Sequence, residues 1–179
     1  MTVITQLSRL ESAGLIRLVQ YEPELEYLFR HVLVQDAAYG SLLSGDRKRL
    51  HQAVGEAVET LYADRLDELA AMLARHFQHA GDEQHALDYY TRAGESALAS
   101  FANQEAESHY RRGLELAPEE SQRAQLLSGL GRALARQSRP REAIETWREG
   151  IALYQALEEG DGVARLYARS ASAAFDAGN

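Results

Sequence analysis

Residues Leu69 to Ala93 read LAAMLARHFQHAGDEQHALDYYTRA, and the pattern of this stretch decides the fold. Ala70, Leu73, Ala74 and Phe77 recur at steps of three and four, the spacing of one helix face. Gly81-Asp82 then breaks the pattern, with Gly suited to end a helix and Asp to cap the next. Ala86, Tyr90 and Ala93 resume helical spacing beyond the break. Small residues stand where two helices touch, and aromatics fill the space between them.

Downstream the pattern recurs. Ala106-x3-Tyr110 follows Ala86-x3-Tyr90 by only twenty residues, so one long helix over about 83–101 is expected to serve two pairs, with an irregular array at Ala106. Asn103 is the expected cap of the next helix, which Pro118 ends. The third match has Leu127, Leu130, Gly131 and Leu134 on its first helix, Pro140 in the turn, and Ala143, Trp147 and Gly150 on its second. Tyr167, Ala171 and Ala174 begin a fourth, with Gly178-Asn179 where a turn belongs. This order of small and aromatic residues resembles tetratricopeptide repeats. The resemblance implies an all-α, α-α superhelix over residues 65–179, truncated at its C-terminus. An array ending after half a unit leaves an apolar face open, so self-association through uncapped ends is expected.

Upstream, Ile4, Leu7 and Leu10 give a helix over residues 2–13 that Gly14 closes. LIRLVQ and LEYLFR, separated by Tyr21-Glu22-Pro23-Glu24, read as a β-hairpin. The run LxxLExxGLI followed by two strands resembles the last helix and wing of a winged helix. Two further helices are missing, so residues 1–30 are expected to be a partial domain whose Ile4, Leu7, Leu10 and Leu15 lack cover.

Residues 31–64 read as connecting helices. HVLVQDAAYGSLL is expected to bury Val32, Leu33, Ala37 and Leu42, and Asp46 to cap the helix that follows Ser44-Gly45. Leu50, Val54, Val58 and Leu61 draw one apolar stripe on that helix. Arg47, Lys48 and Arg49 read as a solvated turn.

YLFRHVLVQDAAYGSLL, with RKRLHQAVGEAVETLY and the opening stretch behind it, resembles the region after the wing in bacterial STAND-class signalling ATPases, of the adenylate-cyclase-linked or large LuxR-type branch. In related ATPases the histidine opening this helix touches the β-phosphate of ADP. The resemblance implies that role for His31 in a parent protein. The better-known motif has Asp next, where this chain has Val32. No GxxxxGK[ST] loop occurs, so any ADP or ATP would bind through an upstream nucleotide-binding domain that is not present.

A net charge of -8 opposes nucleic-acid binding by the chain as a whole. The wing tip QYEPELEY is acidic and its helix carries one base, Arg9, so DNA contact is not expected. The absence of Cys excludes disulfides and thiol catalysis. His76, His79, Asp82 and His85 invite a metal reading, but His76 and His79 flank Phe77 in a repeat helix and no fixed ligand set completes a site. No apolar run approaches the length of a membrane span and no signal peptide opens the chain, so a cytoplasmic protein without membrane contact is expected. No carboxylate pair, triad or nucleophile elbow marks an enzyme. The expected function is protein–protein or peptide recognition in a signalling or transcription-regulatory ATPase. The rival is a regulator fragment whose winged helix contacts DNA. Groove residues expected by position are Arg75, Gln78, Arg132 and Arg136.

Overall fold

The computed structural model describes residues 3–22 and 25–178. Pro23, Glu24 and Asn179, each assigned to a turn from the sequence, lie outside the described residues. Among the described residues the protein is 78% helical with one small antiparallel hairpin. It divides into two compact units, residues 1–47 and 48–179.

The first unit holds α1 (Val3–Ser12), β1 (Ile16–Gln20), β2 (Glu26–Phe29), α2 (Val32–Ser41) and the start of α3 (Ser44–Leu61). Gly14 closes α1 at φ +73°, a conformation glycine adopts without steric cost. The strands pair Ile16 with Phe29 and Leu18 with Tyr27, and a bulge between Leu18 and Gln20 shifts the register. Ile16 alone is buried among the described residues of this unit. Ile4, Leu10 and Leu15 are exposed as expected, while Leu7 is half-buried.

Two expectations fail here. Val32 and Leu33 are 66% and 76% exposed and Ala37 is exposed too, while Leu42 is half-buried, because within the unit α2 meets only the short strand β2. Asp46 does not cap α3. The helix starts at Ser44, which puts Asp46 in its first turn, where a carboxylate still favours the helix dipole.

The second unit continues α3 and adds α4 (Leu66–Ala80), α5 (Glu83–Ala99), α6 (Asn103–Leu116), α7 (Glu120–Arg136), α8 (Pro140–Ala156) and α9 (Gly160–Gly178). From α4 onward each helix packs on the next, and α5 also meets α7, so alternate helices share a layer. α4, α6 and α8 open at equal steps along the chain, at Leu66, Asn103 and Pro140. The array is therefore regular through Ala106. α5 packs on both neighbours as every inner helix of the array does, so it is not a helix shared by two pairs, and the twenty-residue step from Ala86 to Ala106 is the ordinary offset between buried alanines of successive helices.

Ala70, Leu73, Ala74, Phe77 and Ala86 are fully buried, with Tyr90 and Ala93 nearly so. A recurring device joins the helices: a glycine on one forms a socket for a large side chain on its neighbour. Trp147 of α8 lies against Gly131 of α7, and Tyr110 of α6 sits between Gly94 of α5 and Gly129 of α7. Phe77 meets Gly55 and Leu166 meets Gly150 in the same way. Contact through a bare backbone brings the axes close and lets one aromatic ring fill the gap.

The Gly55 socket explains why the expected stripe on α3 is not the buried one. Gly55 is buried and Val58 half-buried against Phe77, whereas Leu50 is 52% exposed and Val54 and Leu61 are also exposed. Closest approach at the glycine outweighs the more apolar neighbouring line. α9 is likewise turned by one residue from the expected register. Leu166 and Ala173 are buried, while Tyr167, Ala171 and Ala174 face outward.

The turns repeat as well. Gly81, Phe101, Ser138 and Glu158 each take positive φ two residues before a helix starts. The amide after each donates back to the helix it leaves: Asp82 to Phe77, Ala102 to Ala97, Arg139 to Leu134 and Glu159 to Tyr154. This is the Schellman arrangement of a helix end. It makes Ala102 the N-cap of α6 and draws Asn103 into the first turn, contrary to expectation. Pro140 likewise opens α8 instead of lying in the turn, a position where its missing amide hydrogen costs nothing.

Candidate functional site

Two clefts of the array hold the expected groove residues, which divide between them. Arg75 and Gln78 wall a cleft of about 770 Å³ formed by α4, α5 and α6. Arg132 and Arg136 wall another, of about 480 Å³, formed by α7, α9 and the start of α8. The four do not share one groove. Layers alternate along the array, so α4 and α7, three helices apart, stand in opposite ones.

In the α4–α6 cleft, the Tyr90 hydroxyl donates to Gln78 Oε1 at 2.7 Å and fixes that amide. Burial pushes the Tyr90 phenol up from its ordinary value. His109 packs beside it with ring centroids 6.1 Å apart, and burial lowers its imidazole, Arg75 adding to the effect. Glu105 and Arg112 complete the polar wall. The chemistry is mixed in sign.

The α7–α9 cleft is different. Arg132 and Arg136 are one turn apart on α7, and Arg169 reaches in from α9. Arg169 donates to the Ser128 hydroxyl at 3.0 Å, and the Trp147 indole N–H donates to the Ser128 carbonyl at 3.2 Å. Ser128 thus fixes one wall and the floor together. Arg136 donates to the Leu98 carbonyl at the end of α5 and lies 5.5 Å over the Phe101 ring. Burial lowers Arg169 from the usual guanidinium value, and Arg132 and Arg165 reinforce the shift by repulsion. Burial also pushes Tyr110, beneath the cleft, up to about 12, with Glu95 next in effect and the three cleft arginines pulling the other way.

Sequence reading missed Arg169 for a definite reason. The one-residue error in the register of α9 placed it off the packed face. The clue was available in Leu166 and Ala173, which also lie at helical spacing.

His31 belongs to the first unit and is in the lining of neither cleft. It is the extended N-cap of α2, its carbonyl accepts from the amides of Val34 and Gln35, and its exposed ring makes no capping bond. The histidines of α4 and α5 separate into two groups. His76 lies 3.1 Å from His51 of α3 between Nδ1 atoms, and His79 stacks on His51 at 4.8 Å. His85 instead stacks on Phe77 at 4.9 Å and pairs with Asp82 at 2.8 Å. Among the described residues, no group of three or more His, Asp or Glu side chains is arranged to hold a metal ion. No described helix is long and apolar enough to cross a membrane. No protein-family model matches the chain, and no curated protein matches it.

Proposed function

We propose that residues 65–179 form a tetratricopeptide-type recognition module, the protein-binding or sensor region of a bacterial STAND-class signalling ATPase acting in the cytoplasm, with no catalysis of its own. The observation that carries this reading is the pair of clefts between alternate helices. Both expose long polar side chains over a floor held rigid by buried aromatics. Such a surface suits recognition by shape and charge.

The helix and hairpin of the first unit agree with the winged-helix part of the reading. The uncovered Ile4 of α1, with Val32 and Leu33 of α2, suits a surface packed on an upstream nucleotide-binding domain. His31, exposed at a helix start, suits contact with a nucleotide held by that domain.

Two experiments test these parts separately. The double charge reversal Arg132→Glu with Arg136→Glu should abolish partner binding while leaving the circular dichroism spectrum intact. Unchanged affinity would remove the α7–α9 cleft from the recognition surface. The coding sequence upstream of Met1 should contain a P-loop and a Walker-B strand, and their absence would overturn the ATPase assignment. A gel shift that weakens with salt would favour the DNA-contacting rival.

A further inference from the structure

We infer that the α7–α9 cleft is a binding site for an oxyanion attached to an apolar body, a carboxylate or phosphate group whose charge meets Arg132, Arg136 and Arg169 while its apolar part lies on Trp147. This rests on the reading of the array as a recognition surface, and it adds the ligand chemistry and Arg169.

The charge pattern supports the choice. The protein has 27 acidic and 19 basic residues, so carboxylates are in excess. Some arginines of the array find them: Arg65 pairs with Glu68, Arg92 with Asp67, Arg111 with Glu107, and Arg139 with both Glu107 and Glu142, while Arg75, Arg123, Arg141, Arg148 and Arg165 show no such pair among the described residues. Among the described residues, Arg132, Arg136 and Arg169 form no ion pair, although Asp176 stands in the same lining. Arg132 and Arg169 repel one another across the cleft, and an anion held between them, within reach of Arg136, relieves that repulsion. Planar guanidinium forks match the geometry of carboxylate and phosphate oxygens.

The rest of the lining selects the body of the ligand. Ala135, Pro140, Trp147 and Ala173 give an apolar floor, and Ser138 and Ser172 add hydroxyls at the edge. A volume of about 480 Å³ takes a small organic anion or the acidic end of a peptide. Both sources carry the same chemistry.

Trp147 is the only tryptophan in the chain and lines the cleft, so its fluorescence reports occupancy directly. The full chain would be titrated with two probes, phenyl phosphate and the free-acid peptide acetyl-Leu-Glu-Leu-Glu. We expect a saturable change that weakens about tenfold or more in Arg132→Gln and in Arg169→Gln, is partly restored in Arg132→Lys, and is unaltered in Arg123→Gln, whose exposed side chain lines neither cleft. Circular dichroism would confirm that each variant folds. Arg132 is half-exposed, so its variant keeps the test valid if Arg169→Gln disturbs α9. Arginine-dependent binding of phenyl phosphate without the peptide upholds the anion site and removes this cleft from protein recognition. Arginine-independent binding, or no saturable change with either probe, overturns the proposal.

Discussion

At the scale of single residues, the glycine sockets make a sharp claim about sign. In an ordinary helix interior, replacing Gly with Ala stabilises by about 0.5–1 kcal/mol. At Gly131 the added methyl group would collide with the Trp147 indole, whose position is fixed by its bond to Ser128. Gly131→Ala is therefore expected to destabilise by about 1–3 kcal/mol, the usual range for overpacking. Urea denaturation measures it, and a gain in stability would refute the socket. Glu158 presents the opposite case. It holds φ +58° at a helix end where glycine is the preferred residue. Glu158→Gly should raise stability by about 0.5 kcal/mol, the relief of left-handed strain exceeding the greater entropy of the unfolded chain. Thermal melts of the two variants side by side would show shifts in opposite directions.

At the scale of elements, the seat of α3 on α4 combines a socket with a cluster of histidines. The Gly55–Phe77 contact is flanked by His51, His76 and His79, and the Tyr89 hydroxyl of α5 donates to Glu59 of α3. Burial lowers His51, with His76 and His79 adding repulsion, and it lowers His76, with Arg75 and His79 adding to that. Both imidazoles thus titrate below their ordinary value of 6.5 in the folded state, and the unfolded chain takes up protons first as pH falls. Their contribution to stability is complete above that value and is lost below it. A melt at about pH 5.5 should show a lower midpoint than one at about pH 7.5, and His51→Gln should narrow the difference. An unchanged difference in the variant would assign the acid sensitivity to other groups. Sequence reading found α4 and α5 nearly residue for residue, because Ala70, Leu73, Phe77 and Tyr90 are both the strongest pattern and the tightest core. It misplaced α3 and α9 because their most apolar lines, Leu50–Val54–Leu61 and Tyr167–Ala171–Ala174, are not the faces where a glycine permits closest approach. It missed the recurring turn because three of its four left-handed residues, Phe101, Ser138 and Glu158, are not glycine. The same slip in α9 hid Arg169, so only two arginines of the α7–α9 cleft were legible beforehand.

At the scale of the whole molecule, residues 48–179 contain all but one of the buried apolar side chains among the described residues, Ile16 being the exception. A chain beginning at Lys48 should keep cooperative melting and a helical circular dichroism spectrum, and loss of either would show that the array depends on the first unit. Exposed Tyr167 and Phe175, 55% and 71% accessible on α9, favour self-association. Sedimentation velocity should show a weight-average mass that rises with concentration, against a strict monomer if those faces are inert. The central claim is that a rigid helix array presents its α7–α9 cleft to an acidic partner. Amide and indole chemical-shift mapping of the full chain, titrated with acetyl-Leu-Glu-Leu-Glu, tests it most directly. Shifts gathered on α7 and α9 around Arg132, Arg136 and Arg169, together with the Trp147 indole, are the predicted result; shifts scattered over the surface, or confined to the α4–α6 cleft, would contradict it.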